Sequence, residues 1–249
     1  AHVMVQNGYH LIEDKKRADI LLFNTCAVRE HASEKAISNI QKTIQDLNEI
    51  SRYPIIVIFG CLSQFLKKRL AQRIPGAQIV IGTLNIDQIP QYLDEHRKHK
   101  KKILDFNLQP SSQVFDERGY LHNPSQIFTF LPITYGCDNF CSYCVVPYTT
   151  GPQRSKPLRT ILKEIEKIIQ DGYKEIILLG QNVNSYGLDF GLKNGFEFLL
   201  QAIDENFQSS SIWIRFLTSH PKDMRASIVD SIKNSSLITH YFHLPIQSG

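Results

Sequence analysis

Short, mostly apolar runs separated by stretches of helical periodicity constrain this chain more than any other feature. Ala18 to Phe23 leads into Asn24-Thr25-Cys26, Ile55 to Phe59 stops at Gly60-Cys61, and Ala77 to Ile81 closes at Gly82. Between the first two runs, Ile37, Ile40, Ile44, Leu47 and Ile50 recur every three or four residues. After the second, Phe65, Leu66, Leu70 and Ile74 share one helical face, with Ser63 as the expected N-cap. Strands that read as continuous apolar runs are buried on both faces, and their alternation with helices gives a parallel sheet between helical layers. The fold class is therefore α/β, with an N-terminal sheet domain of the flavodoxin or Rossmann kind.

A further helix starts near Ile86 and runs into the basic segment Arg97 to Lys102, read as a wet helix end with RNA contact as the alternative. From about Leu108 to Gln126 the pattern lapses into Pro, Ser, Gln, Asn and Gly. It then resumes as strands at Ile127 to Ile133, Glu175 to Leu179, Ile212 to Leu217 and Tyr241 to Leu244, with helices around Ile161 to Ile169, Phe196 to Ile203 and Asp223 to Ile232. Three segments follow: a sheet domain over 1–107, a linker over 108–126, and a second βα series over 127–249. The last strand lacks a covering helix, so the second series is expected to be a truncated (β/α) barrel. The chain opens Ala1-His2-Val3-Met4, without an initiator Met, and is expected to be a fragment.

Composition narrows the class. Lys and Arg number 28 against 24 Asp and Glu, a net charge of +4 that permits a nucleic-acid partner without requiring one. A 42% hydrophobic fraction with 21% charged residues excludes a disordered chain. The longest apolar run, Ile55 to Phe59, is far below the roughly 20 residues a bilayer demands. Five cysteines, an odd number, in a chain large enough to fold without staples point to reduced thiols in a cytoplasmic protein.

Three of those cysteines stand together in Gly136-Cys137-Asp138-Asn139-Phe140-Cys141-Ser142-Tyr143-Cys144, directly after a strand. Thiolates at that spacing are ligands for zinc or an iron–sulfur cluster. A structural zinc site wants four donors, so a triplet favours a cluster with one iron left open. Barrel strands carry chemistry at their C-terminal ends, which is where this loop falls. The alternatives are a zinc knuckle or buried free thiols. Cys26 and Cys61 each sit at a strand exit, on the edge where parallel sheets place ligands. Two small buried residues would read the same way.

Residues Tyr135 to Gly151, with Cys-x-x-x-Cys-x-Tyr-Cys-Val-Val-Pro-Tyr-Thr, resemble the radical S-adenosylmethionine superfamily, and more narrowly its methylthiotransferases. Gly180-Gln181-Asn182-Val183-Asn184, Thr218-Ser219-His220-Pro221 and His243 to Gly249 resemble the branch that modifies tRNA adenosine. Asn24 to Glu30 and Gly60-Cys61 are similar to the N-terminal domain of the same family. The resemblance implies that Cys137, Cys141 and Cys144 hold a [4Fe–4S] cluster whose open iron chelates S-adenosylmethionine. One electron then yields methionine and a 5′-deoxyadenosyl radical. It implies cofactor contacts from Tyr143 beside the adenine, from Gly180, Gln181 and Asn182, and from Ser219, Gln247 and Ser248.

The resemblance also implies that Cys26 and Cys61 belong to a second cluster concerned with sulfur delivery. That cluster takes a third cysteine upstream of Ala1, so in this chain it is expected to be labile or missing. The implied reaction is methylthiolation at C2 of an N6-prenylated adenosine beside the tRNA anticodon. The alternatives are the same chemistry on threonylcarbamoyladenosine or a ribosomal protein, and a non-catalytic metal-binding protein. Expected partners are tRNA, a reductant such as a flavodoxin and a sulfur donor, around a monomer free of membrane. Two departures stand out: Thr150 and Lys156 occupy positions where the family usually has Arg. Arg154, Lys156 and Arg159 read as cations of a solvated loop, with phosphate contact the alternative.

Overall fold

The computed structural model describes residues 2–108, 125–233 and 235–246. Gln247, Ser248 and nearly all of the expected linker lie outside the described residues. The chain divides into two compact units, residues 1–114 with 139–151, and residues 115–138 with 152–249.

The first unit runs α1 (His2–Gln6), β1 (Ile20–Thr25), α2 (Glu30–Glu49), β2 (Ile55–Gly60), α3 (Cys61–Leu66), α4 (Lys68–Arg73), β3 (Ile79–Ile81), α5 (Ile89–His99) and β4 (Ile103–Asp105). Its strands form one parallel sheet in the order β1-β2-β3-β4, with Ile20 opposite Ile55 and Ile79 opposite Ile103. Successive strand residues point to opposite faces, and the core divides accordingly. Ile56, Ile58 and Val80 pack with Ile37, Ile40, Leu62, Leu70 and Ile74 on one side. Val57, Ile79, Ile81 and Ile103 pack with Met4, Ile89 and Leu93 on the other. The mostly apolar runs are thus a doubly covered sheet.

Three local features differ from the sequence expectation. Strand β4 follows the basic segment directly, because Lys100 takes a left-handed C-cap conformation that ends α5 and turns the chain back. The basic segment is also not simply wet: Lys102 donates to the carbonyl of Ala71 at 3.0 Å, and Arg97 lies over the Tyr9 ring. Ser63 does not cap a helix. It sits inside α3, fully buried, with its hydroxyl donating to the Ile81 carbonyl at 2.6 Å. The turn is made by Gly60, at φ +103°, where a Cβ would stand 2.4 Å from the Thr25 carbonyl oxygen. That geometry places Cys61 at the first helical position.

The remaining elements are β5 (Phe128–Pro132), β6 (Thr134–Tyr135), α6 (Val146–Thr150, in the first unit), β7 (Arg154–Ser155), α7 (Leu158–Gln170), β8 (Glu175–Leu179), α8 (Gly195–Phe207), β9 (Trp213–Phe216) and α9 (Ala226–Ile232). In the second unit β5, β8 and β9 form a parallel sheet in that order, and β6 and β7 pair antiparallel. Ile176, Leu178, Ile214 and Phe216 of the sheet pack on Ile161, Ile165 and Ile168 of α7 and Leu199, Leu200 and Ile203 of α8. No strand forms at Tyr241 to Leu244 among the described residues. A single parallel bridge joins Ile214 to Ile238, while the His243 carbonyl accepts the Ser219 N–H beyond the end of β9. No described helix is long and apolar enough to cross a membrane.

Candidate functional site

Every strand of the second sheet ends in a residue that touches the next. The Ile133 N–H reaches the Leu179 carbonyl at 2.7 Å, and Thr134 follows it. Gly180 ends β8 so close to Thr134 that a Cβ there would stand 2.0 Å from Thr134 Oγ1. The Thr218 hydroxyl donates to the Gly180 carbonyl at 2.5 Å, and the Thr218 carbonyl accepts the Val183 N–H. Thr218 holds φ +65°, a left-handed conformation that a β-branched residue seldom adopts. His243 holds it there, Nδ1 accepting the Thr218 N–H at 3.0 Å. Strain of this kind costs about 1–3 kcal/mol and clusters at functional sites.

Along this edge three buried polar atoms have no hydrogen-bond partner: Thr134 Oγ1, Ser219 Oγ and Asn184 Oδ1. A buried unsatisfied group costs about 1–3 kcal/mol, so three at one rim mark a place where polar ligand atoms would fit. Of the residues expected here, Ser219 and Gly180 line the rim and Gln181 is exposed. Asn182 is spent otherwise: its amide donates to Asp223 at 2.6 Å and its Oδ1 accepts the His220 N–H, bracing the Thr218–Pro221 turn. Thr134, Asn184 and His243 were not singled out as site residues in the sequence. Thr134 could have been, as the strand exit preceding Tyr135-Gly136-Cys137.

The cysteine loop begins at this rim. All five cysteines are free thiols. Among the described residues no three His, Cys, Asp or Glu side chains are gathered so as to hold a single metal ion. Cys137 belongs to the second unit, whereas Cys141 and Cys144 belong to the first. The Cys144 N–H donates to the Cys141 carbonyl at 2.8 Å in a tight turn entered through Phe140 at φ +46°. Tyr143 is 62% exposed. Desolvation, together with the charge of Cys141, a hydrogen bond to its sulfur and the charge of Cys144, pushes the Tyr143 phenol up. At the base of the loop, the Asp138 carboxylate accepts the Gln153 N–H, and the Gln153 side chain donates to the Ser185 carbonyl at 2.6 Å.

Lys156 is not a solvated cation. It is completely buried, its Nζ lies 2.5 Å from Glu164 Oε2, and its carbonyl accepts the Tyr186 hydroxyl. In the first unit Cys26 and Cys61 are brought together at the exits of β1 and β2. Burial pushes the Cys61 thiol up, a hydrogen bond with Thr149 works in the opposite direction, and the charge of Cys26 pushes it up again. Nearby, buried Gln64 leaves its Oε1 without a partner.

Residues 1–82 match the uncharacterized protein family UPF0004, and residues 131–249 match the Radical SAM superfamily. Over its whole length the chain is similar to proteins named tRNA-2-methylthio-N(6)-dimethylallyladenosine synthase, in line with its resemblance to the methylthiotransferases. It is 38% identical to that of Syntrophus aciditrophicus (strain SB), across 100% of this chain and 53% of the relative. It is also 38% identical to that of Clostridium tetani (strain Massachusetts / E88), across 99% of this chain and 54% of the relative. The chain spans about half the length of these relatives. Among solved structures, the radical S-adenosylmethionine methyltransferase TsrM from Kitasatospora setae superposes with a TM-score of 0.60 at 11% identity, over 86% of this chain and 46% of that one. Identity that low shows a shared fold alone. The match over residues 131–249 takes in Thr134, Gly180, Asn184, Thr218 and Ser219, and so the whole rim.

Proposed function

We propose that this chain is the catalytic part of a radical S-adenosylmethionine methylthiotransferase that modifies C2 of N6-dimethylallyladenosine in tRNA. The observation that carries the reading is similarity at 38% identity running through both units, to relatives bearing one name. The donor chemistry agrees with a [4Fe–4S] cluster and S-adenosylmethionine. Cys137, Cys141 and Cys144 would supply three thiolates to such a cluster. Thr134, Ser219 and Asn184 supply unpartnered polar atoms at the rim of the second sheet, where the stretch that carries Cys137 begins. When bound, the pair supplies one-electron cleavage of the sulfonium and a radical able to activate an adenine C–H.

The protein's share is binding and orientation. Gly180 leaves room at the rim, the strained Thr218 presents the Ser219 hydroxyl, and Asn182 fixes the turn that carries both. Gln181, Tyr143 and, beyond the described residues, Gln247 and Ser248 remain proposed cofactor contacts. Cys26 and Cys61 are proposed to serve sulfur delivery, with tRNA, an electron donor and a sulfur source as partners of a cytoplasmic monomer. The test is anaerobic reconstitution with iron and sulfide followed by dithionite and S-adenosylmethionine. Release of 5′-deoxyadenosine is expected, and its loss in Cys141→Ala. Tight zinc binding without cofactor cleavage would instead identify a metal-binding protein. A nucleoside digest of tRNA from a deletion strain should lack methylthio-dimethylallyladenosine, and a missing methylthio-threonylcarbamoyladenosine would redirect the substrate.

A further inference from the structure

The stretch that leaves β6 and the stretch that enters β7 meet at a buried glutamine. Tyr135 pairs with Arg154 across these strands, and just beyond that pair the Asp138 carboxylate accepts the Gln153 N–H at 3.3 Å. Asp138 follows Cys137 directly. Gln153 is only 7% exposed, and its side chain reaches Ser185. Its Nε2 donates to the Ser185 carbonyl at 2.6 Å, and the Ser185 hydroxyl donates to its Oε1. A carbonyl can only accept, so the amide nitrogen must face it and the amide oxygen must face the hydroxyl. Both ends of the amide are therefore spent on one residue.

Ser185 closes a short turn, Val183–Ser185, that also carries Asn184 Oδ1, one of the unpartnered rim atoms. The Ser185 hydroxyl lies 2.8 Å from the Asn182 carbonyl, and Asn182 Oδ1 accepts the His220 N–H at 3.2 Å, beside Ser219. One run of hydrogen bonds thus leads from the residue after Cys137 to the segments bearing two rim atoms, Asn184 Oδ1 and Ser219 Oγ. Every member of it belongs to the second unit.

We propose that Gln153 is a positioning residue. Its backbone holds the base of the cysteine loop and its amide holds the Asn182–Ser185 turn, so that Cys137 and the unpartnered rim atoms keep one register for a ligand that meets both. The proposal rests on the radical S-adenosylmethionine reading above. Losing the amide should weaken cofactor binding without removing iron.

The test compares Gln153→Met, which keeps the length and removes both polar ends, with Ser185→Ala, which removes only the hydroxyl. In metal-free protein, amide exchange is read at Val183 and Tyr186, whose N–H groups bond the Thr218 and Val183 carbonyls. Ser185→Ala should quicken it about fivefold, the worth of one hydrogen bond of about 1 kcal/mol, and Gln153→Met about 25-fold, the worth of two. The double variant should match Gln153→Met, because both changes cut the same link. Amides of α8 should keep their original rates. In the reconstituted holoenzyme, Gln153→Met should keep its iron and raise the KM for S-adenosylmethionine about tenfold in 5′-deoxyadenosine release, with kcat within about twofold. A purely structural role would lower the melting temperature and leave KM where it was. Unchanged exchange at Val183 and Tyr186, a double variant faster than Gln153→Met, an unchanged KM or lost iron would overturn the proposal. Should Gln153→Met not fold, Ser185→Ala must by itself show the faster exchange and a raised KM. If the unaltered holoenzyme releases no 5′-deoxyadenosine, the functional reading fails while the exchange comparison still decides the clasp.

Discussion

The buried pair Lys156–Glu164 gives a direct test of how charge is held inside the second unit. Lys156 Nζ sits 2.5 Å from Glu164 Oε2, with the Lys side chain 0% and the Glu side chain 16% exposed. The two partners are therefore not equivalent. Removing the carboxylate strands an ammonium with no access to water, and breaking a buried pair from one side costs about 3–5 kcal/mol. Removing the ammonium leaves a carboxylate that water already reaches, and Met fills the Lys stem at nearly equal volume, so the cost falls to about 1–2 kcal/mol. Glu164→Leu is accordingly expected to lower the melting temperature by about 10–20 °C and Lys156→Met by about a third of that. The double variant should recover to within about 1 kcal/mol of the original, because apolar pairs replace buried ion pairs at little cost. Urea unfolding followed by circular dichroism reads all three. A double variant no better than Glu164→Leu, or Lys156→Met more damaging than Glu164→Leu, would refute the asymmetry.

Three further outcomes are expected. Burial works to raise the Glu197 carboxyl, but hydrogen bonds from Arg225 and Ser227 and the charge of Arg225 outweigh it and hold it below its ordinary value. Its contribution is therefore present above the unfolded value and lost as pH falls through the folded one, so the stability gap between the original and Glu197→Gln should be flat above about pH 5 and close in acid. Gly60→Ala should cost at least about 2 kcal/mol in urea unfolding, since φ is +103° and the new Cβ would stand 2.4 Å from the Thr25 carbonyl oxygen. Ser219→Ala removes a buried hydroxyl that has no partner, so the metal-free protein should melt no lower than the original while S-adenosylmethionine binding by the reconstituted protein weakens about tenfold.

What could be read from the sequence follows the range of each interaction. The strands at Ile55 and Glu175 are legible because an unbroken apolar run needs no partner to declare itself. The triplet Cys137, Cys141, Cys144 is legible because its ligands lie on one loop. Strand β4 is hidden because Ile103-Leu104-Asp105 is three residues long and follows a basic helix end. Ser63 is misleading for a related reason. A serine before an apolar helical stretch usually caps it, but Gly60 turns the chain early enough that Ser63 falls inside the helix and spends its hydroxyl on β3. Lys156 reads as a surface cation because its partner lies eight residues on, across the start of α7, at a separation no local pattern reports.

The same reasoning explains why the rim was only half visible. A hydroxyl is satisfied or not according to what faces it across the sheet, and sequence records only what precedes and follows it. Thr134, Ser219 and Asn184 are ordinary residues until the strands align them, and then each becomes a buried polar atom without a partner. The first sheet repeats the arrangement, with Gln64 Oε1 and Asn85 Nδ2 unpartnered beside the exits that carry Cys61 and Gly82. Elsewhere the polar groups of these edges are consumed: Ser63 by Ile81, Thr25 by Phe59, Asn182 by Asp223. Unpartnered buried atoms also occur elsewhere, as at Arg52 Nε and Thr239 Oγ1, but those of Thr134, Ser219, Asn184, Gln64 and Asn85 gather at the C-terminal ends of two parallel sheets, where polar ligand atoms would fit. Each exception destabilises the unliganded chain by about 1–3 kcal/mol, which a bound polar group would return. Stability and function therefore oppose each other at Ser219, and a variant that melts higher while holding its cofactor more weakly is the signature of that opposition.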